Sequence, residues 1–310
     1  MTDRLMLLDT ASLYFRAFFG VPDKVKAPDG TSVNATRGLL DIVAKLVTLY
    51  QPAQLIACWD DDWRPQWRVD LIPSYKAHRV VEEVTAAPDV EEVPDALQQQ
   101  IPLIREALGA LGIPIIGAAE HEADDVIGTL ATGAALPVDI VTGDRDLFQL
   151  VDDSRDVRVI YTARGMSNLE VVTDETVVAR YGVLPEQYAD FATMRGDASD
   201  GLPGVKGVGE KTAAALLRAH ADLAGIRTAA ADGRLTATMS ARFAEGSDYL
   251  DVAPTVVKVA TDLDISAPCV PLGGLDAAAR DAADALAERW NLGSSMTRAL
   301  SALASAGDAG

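Results

Sequence analysis

The sequence predicts an α/β fold: a mostly parallel central sheet flanked by helices, followed by a helical C-terminal region. Three observations carry this. Short apolar runs at Leu5–Leu8, Leu55–Trp59, Ile113–Ile116, Val138–Val141 and Val157–Tyr161 read as buried strands. Segments of helical spacing lie between several of them, as the crossovers of parallel strands require. The first run ends in Asp9, the second in Asp60, and the fourth leads through Thr142-Gly143 into Asp144 and Asp146. Open α/β sheets bind their ligands at such C-terminal strand ends.

Taken in order, Leu5–Leu8 is the first strand and Ser12–Phe19 follows it, with Arg16 among aromatics that read as core. Arg16 has the reach to meet a phosphate. Pro22–Asn34 is loop-like, with the turn signal Pro-Asp-Gly at 28–30. Ala35–Tyr50 carries Leu39, Leu40, Val43, Leu46 and Val47 at helical spacing and ends at Gln51-Pro52. After the second strand, Asp61 and Asp62 are expected to be solvated. Trp63–Arg79 interleaves rings and cations: Trp63, Arg64, Trp67, Arg68, Tyr75, Lys76 and Arg79. That mixture suits a phosphate chain and unstacked bases. It equally suits a helix that packs its aromatics inward and solvates its cations.

Val80–Gln100 is acidic, contains Pro88 and Pro94, lacks strong periodicity and reads as a mobile connector. Ile101–Leu111 is an amphipathic helix, followed by the strand Ile113–Ile116. Glu122–Ala131 opens a helical pattern with Glu122, Asp124 and Asp125 at its start. From about Val171 the texture changes to short helices: Asp174–Tyr181, Pro185–Met194 and Lys211–His220. Between the last two, Gly204-Val-Lys-Gly-Val-Gly209 has the glycine spacing of a tight hairpin. Its amides, with Lys206 and Lys211, suit a phosphate oxygen. Pro254–Asp264 reads as extended, Asp276–Trp290 as helix, and the Ala/Ser/Gly tail after Leu303 as frayed.

The chemistry concentrates in Glu122, Asp124, Asp125, Asp144 and Asp146. Carboxylates one position apart on an extended chain, such as Asp144 and Asp146, point the same way. At ~5 Å and an effective dielectric of ~20, each ionised pair repels by roughly 3 kcal/mol. Oxygen-binding cations of the Mg²⁺ or Mn²⁺ kind relieve that repulsion. The same acids also suit solvated helix and loop positions in an acidic protein.

The bulk properties set bounds. The chain of 310 residues suffices for one large or two modest domains, and a hydrophobic content of 49% fits a soluble globular protein. No apolar run is long enough to span a bilayer, and the N-terminus does not read as a cleavable signal. Cys58 and Cys269 are far apart, which disfavours a disulfide framework and favours the cytoplasm. The net charge of −19 argues against a nonspecific nucleic-acid coat. It is compatible with a nucleic-acid enzyme whose bound cations offset part of the charge.

These stretches together resemble the bacterial 5′-nuclease family: the N-terminal 5′-to-3′ exonuclease domain of DNA polymerase I, its stand-alone relatives and the flap endonucleases. The resemblance rests on Leu-Leu-Asp9, Trp-Asp60, Tyr75-Lys-Ala-His-Arg79, Glu122-Ala-Asp-Asp-Val-Ile-Gly-Thr-Leu, Thr142-Gly-Asp-Arg-Asp-Leu, and the run from Gly196 to Ala213. It covers roughly Leu5 to His220, extending to about Ala260. No polymerase portion follows, so the chain resembles a stand-alone member.

The resemblance implies a PIN-like nuclease core over 1–171, with a helical arch or clamp at about 76–105. A helix–hairpin–helix region over 172–290 and a terminal segment over 291–310 would follow. It implies hydrolysis of DNA near 5′ ends, at 5′ flaps and at single-strand/duplex junctions, and of RNA primer segments, by a monomer. Asp9, Asp60, Glu122, Asp124, Asp125, Asp144, Asp146, Asp197 and Asp200 fall on the family's metal carboxylates, for two or more Mg²⁺ or Mn²⁺ ions. Lys76 and Arg79 fall on its catalytic basic pair. Arg16, Tyr75, Gly204, Lys206, Gly207, Gly209 and Lys211 are expected at DNA, with K⁺ held by backbone carbonyls of the hairpin. The segment between Arg79 and Ile101 departs from the polymerase-linked form in being longer and more acidic. A non-cleaving structure-specific DNA-binding protein and an RNA-processing nuclease on a similar sheet are the competing readings.

Overall fold

The computed structural model describes residues 3–82, 89–268, 270 and 272–307. Its strands are β1 (Leu5–Asp9), β2 (Gln54–Cys58), β3 (Val80–Glu82), β4 (Val90–Glu91), β5 (Ile115–Ile116), β6 (Val138–Thr142), β7 (Val157–Tyr161) and β8 (Glu170–Val172). Six of them form one sheet in the order β5-β2-β1-β6-β7-β8. All neighbours in it pair parallel except β7 and β8. The two central strands are buried on both faces, which fits their largely apolar sequences; Asp139 of β6 is buried in ion pairs with Arg4 and Arg158. Successive residues of β1 serve opposite layers. Met6 and Leu8 join one core with the helices Asn34–Tyr50 and Ile101–Ala110. Leu5 and Leu7 join the other with the helix Ala123–Gly133.

Strand order runs outward from β1 in both directions, so the crevice between the ends of β1 and β6 is the switch point of the sheet. Asp9 closes β1, Asp60 lies two residues beyond β2, and Asp144 lies two beyond β6. Three chain segments thus deliver carboxylates to one edge.

The structure departs from the sequence reading in several places. The acidic stretch after Arg79 is not wholly irregular: β3 and β4 pair antiparallel, and Asp95–Gln98 is helical. Residues 83–88 of that stretch lie outside the described residues. Gln100 is buried, and its side-chain oxygen accepts from Ala35 N and Thr36 N at the start of the helix Asn34–Tyr50.

Pro254 lies inside the helix Ser247–Val257 rather than in an extended strand. A proline there frees the carbonyl four residues back. That carbonyl belongs to Leu250, and Arg227 Nη1 donates to it at 3.4 Å.

The tail expected to fray after Leu303 stays helical to Gly307, within a helix that begins at Gly293, and residues 308–310 lie outside the described residues; Met296, Ala299 and Leu303 enter the core shared with Leu39, Leu40 and Val43. The helix Ala277–Arg289 joins that same core through Ala283 and Leu286. By packing, these two helices belong with the first body and not with the helices after Val172. Leu303 is 2% exposed. Leu303→Ala is expected to lower the unfolding free energy by about 2–4 kcal/mol. Urea denaturation that left the midpoint unchanged would return this tail to the surface.

Candidate active site

Asp9, Asp60, Glu122, Asp124, Asp144 and Asp197 line one cleft of about 670 Å³ together with Lys76 and Arg79. Asp9 is held by its neighbours in the sheet. Thr142 Oγ1 donates to its Oδ2 at 2.6 Å and Ser12 N to its Oδ1 at 3.1 Å, the latter capping the helix Thr10–Gly20. Asp60 accepts from Ala123 N at 2.8 Å, at the start of the helix Ala123–Gly133. Asp144 accepts from Asp146 N at 2.8 Å.

Asp146 faces elsewhere. It begins the short 3₁₀ helix Asp146–Leu150, so the expected parallel aim of Asp144 and Asp146 does not hold. A hollow of about 20 Å³ adjoins the cleft, walled by Asp146 and Asp200 and by Glu122 and Asp124, which belong to both spaces. Such a volume admits about one water-sized species. Asp146 Oδ1 is buried there with no hydrogen-bond partner.

The electrostatics follow from burial and like charge. Burial, with Asp60 and Asp144 nearby, pushes Asp9 up to about 7. Burial, with Glu122 and Asp125 nearby, pushes Asp60 up to about 6. Asp124 is raised well above the usual range by burial and by Asp144 and Asp9, and Asp146 by burial and by Asp144 and Asp200. Burial also acts to raise Glu122, but Lys76 and Arg68 outweigh it and hold this carboxyl low.

The donor set therefore fits hard divalent cations. It is all oxygen, its carboxylates outnumber the cations that line the same space, and it includes an orphaned buried oxygen beside a hollow of one-ion size. Among the described residues, no three acidic, histidine or cysteine side chains are already drawn into a ligand cage. Magnesium keeps several waters, so ligation at a distance through them is compatible with this spread.

Asp125 departs from its expected role as a ligand. It is 0% exposed, and Arg68 donates to both its oxygens at 2.7 and 2.9 Å. Glu122 N and Ala260 N donate to it as well, at 3.2 and 2.8 Å. Its acceptor capacity is used inside the protein. Tyr75 departs too: it is 4% exposed and its hydroxyl donates to Glu122 Oε1 at 2.6 Å, which leaves no face for DNA. Arg64 and Arg68 are neither phosphate contacts nor solvated cations. Arg64 pairs with Asp89 and donates to Tyr75 O, while Arg68 pairs with Glu122 and Asp125. Asp62, expected in solvent, is buried and accepts from Arg64 N.

Lys76 lies on Glu122, and its ammonium contacts Oε2. Its backbone is left-handed, φ 48°, and is held there by its N–H to Asp200 O at 3.0 Å. Ser74 Oγ donates to Gly201 O, and Arg79 to Ser199 O and Asp200 Oδ1. The basic pair is thus stitched to the turn that carries Asp197 and Asp200. Asp197 itself accepts from Ser199 N and pairs with Arg195 at 3.1 Å. Arg16 is half-buried, and its Nε is buried without a partner in a groove that shares Ser12 and Phe15 with the cleft.

The glycine-rich turn joins the helices Tyr188–Arg195 and Glu210–His220. Gly204 and Gly207 require glycine, with φ of 66° and 71°. A Cβ on Gly204 would also lie 2.5 Å from Gly196 N. Gly209 is not left-handed, and a Cβ on it would meet nothing within 4 Å. Lys206, 83% exposed on its side chain, stands at the tip, and Lys211 is exposed in the first turn of the second helix.

Comparisons with known proteins agree with this architecture. Residues 4–182 match the family model of the 5′-3′ exonuclease N-terminal resolvase-like domain, and residues 183–275 match that of the 5′-3′ exonuclease C-terminal SAM fold. A 5′-3′ exonuclease of Streptomyces coelicolor is 58% identical over 302 residues, covering 96% of this chain and 99% of that protein. A 5′-3′ exonuclease of Mycobacterium tuberculosis is 51% identical over 275 residues, covering 86% of each. Among solved structures, the flap endonuclease of bacteriophage T5, in a pseudo-enzyme–product complex with DNA and metal ions, superimposes with a TM-score of 0.64. That likeness is 18% identical in sequence and covers 96% of this chain and 99% of the other.

Proposed function

This chain belongs to the 5′-3′ exonuclease family, and we propose that its acid-lined cleft hydrolyses phosphodiester bonds of DNA near 5′ ends and at 5′ flaps. RNA primer segments would be cut at the same site. The observation that carries this is the meeting of carboxylates from β1, β2, β6 and the turn at 197–200 around a basic pair.

Asp9, Asp60, Glu122, Asp124, Asp144, Asp146, Asp197 and Asp200 would hold two or more Mg²⁺ or Mn²⁺ ions, several through water. Bound, such ions acidify water and offset charge on the phosphate oxygens. The chain's own groups do the rest. Asp9 and Asp60, raised by burial, must ionise before they can serve as ligands. Lys76 and Arg79 sit on the cleft wall, where they would meet the scissile phosphate and stabilise its transition-state charge. Hydrolysis would leave a 5′ phosphate and a 3′ hydroxyl. The turn at 204–209, the amides after Gly209, and Lys206 and Lys211 would hold the duplex phosphates, with K⁺ on the turn's carbonyls. Arg16 would serve a phosphate from the adjoining groove.

Cleavage of a labelled 5′-flap duplex by the purified protein with Mg²⁺ or Mn²⁺ tests the reading. Binding without any cleavage in either metal would favour the non-cleaving alternative, and faster cleavage of a matched RNA would favour the RNA nuclease. Lys206→Ala is expected to weaken duplex affinity by about threefold and to reduce the salt slope by about one. An unchanged slope in fluorescence titrations would remove the turn from the interface.

A further inference from the structure

The helix Ala123–Gly133 presents Asp124 to the cleft, while Asp125, Gly128 and Thr129 turn toward the chain segment 256–263. That segment leaves the helix Ser247–Val257 and is strapped along this one. Gln149 Nε2 donates to Val257 O, and Val259 N to Gln149 Oε1, both at 3.2 Å. Ala260 N donates to Asp125, Thr129 Oγ1 donates to Ala260 O, and Leu263 N donates to Thr129 Oγ1. A Cβ on Gly128 would lie 2.4 Å from Ala260 O, so the strap seats directly on the helix backbone.

Arg68 is where the strap and the cleft meet. Its side chain is 3% exposed. Nη1 reaches Glu122 Oε1 at 2.8 Å, Nη1 and Nη2 grip Asp125, and Nε donates to Val256 O at 3.2 Å. The Trp67 ring lies against it, with the guanidinium carbon 4.6 Å from the ring centroid. A planar fork can hold both carboxylates and the strap carbonyl at once, which a lysine cannot.

We propose that Arg68 is a positioning residue: it aims Glu122 at the cation hollow and, with Asp125, couples the cleft end of the helix to the strap at 256–263. This rests on the cation reading above. Three side chains outside the sheet, Arg68, Tyr75 and Lys76, fix the orientation of Glu122. Lys76 faces the cleft and would be needed at the phosphate, so Arg68 and Tyr75 are the constant supports. Since coupling is reciprocal, loosening the strap weakens cation binding, and cation binding tightens the strap.

The test uses the whole chain without DNA and reads Mn²⁺ affinity by electron paramagnetic resonance. Arg68→Lys keeps the buried charge but loses the fork. It is expected to weaken Mn²⁺ binding by about tenfold while duplex affinity in EDTA stays as in the wild type. Thr129→Val cuts two strap hydrogen bonds without touching an acid. It is expected to weaken Mn²⁺ binding by about threefold and to speed amide exchange at Ala260. A merely structural role would lower the melting temperature and leave the Mn²⁺ affinity of the folded protein unchanged. Should Arg68→Lys fail to fold, Thr129→Val decides alone. Folded variants with wild-type Mn²⁺ affinity would overturn this proposal and leave the cation reading intact. A wild-type protein that bound no Mn²⁺ would overturn both.

Discussion

Asp146→Asn is expected to cut single-turnover cleavage of a 5′-flap duplex by about a thousandfold or more, while duplex affinity in EDTA stays nearly unchanged. Its Oδ1 is buried with no partner in a hollow of about 20 Å³. Leaving a buried acceptor unsatisfied costs about 1–3 kcal/mol, so the position is explained by something that arrives to satisfy it. The substitution should also stabilise the cation-free protein at about pH 8. Asp9, Asp124 and Asp146 are raised, so the folded state holds their protons more tightly than the unfolded chain does. Stability must then fall as pH rises from the ordinary carboxylate range to the folded values, about 7 for Asp9, and stay low above them. Glu122 and Asp197 are lowered, and their stabilising share is lost only in stronger acid.

Calorimetry on the cation-free wild type should therefore show a higher melting temperature at about pH 5.5 than at about pH 8, with Mn²⁺ reversing the deficit and Asp146→Asn reducing it. Wild-type turnover by the variant, or a cation-free variant that melts below the wild type at about pH 8, would discard the role of Asp146. Asp125→Asn serves as the contrast. It breaks a buried ion pair and should cost about 3–5 kcal/mol of stability, with cleavage surviving in the folded fraction.

Sequence periodicity and strand ends were enough to place Asp9, Asp60 and Asp144 at one edge, because a parallel sheet repeats the same apolar run before each turn. The family motifs added Asp197 and Asp200. What the residue string does not display is which charges are consumed internally. Asp124 and Asp125 are adjacent acids at a helix start, yet the rotation of about 100° between successive residues sends the first to the cleft and the second to Arg68. The residue string hides the role of Arg68 for the same reason. In Gln66–Leu71 it is a cation in a short helix with no resolvable face, and its partners lie 54 and 57 residues away. The last turn of the terminal helix, after Leu303, reads as frayed because an alanine- and serine-rich surface resembles a loose tail. Only its spacing of Met296, Ala299 and Leu303 against the helix Asn34–Tyr50 distinguishes the two. The cost of the proline at 254 depends on whether a distant side chain, here Arg227, donates to the freed carbonyl, which the residue string does not display.

Lys76→Ala is expected to slow single-turnover cleavage by about a hundredfold while changing duplex affinity by no more than about threefold. Lys76 keeps a left-handed backbone, a conformation that costs a non-glycine residue about 1 kcal/mol or more, and a hydrogen bond to Asp200 O fixes it there. That conformation aims the ammonium among the acids, onto Glu122 Oε2 and toward Trp63 O. Glu122 and Asp200 both contribute to raising Lys76, and they outweigh a burial that alone would lower it, so the group is charged throughout the working pH range. In the cation-free protein Lys76 supplies the counter-charge to Glu122. With cations in the hollow, Glu122 would no longer need it, and the ammonium would be free to meet the phosphate from the cleft wall. The same exchange predicts a second signature. Without cations Lys76→Ala leaves Glu122 short of a counter-charge and lowers the melting temperature, and saturating Mn²⁺ should restore most of that loss. An unchanged cleavage rate would remove Lys76 from the chemistry. A slowed rate with a stability deficit that Mn²⁺ fails to repair would keep it in the chemistry but deny that it stands in for a cation.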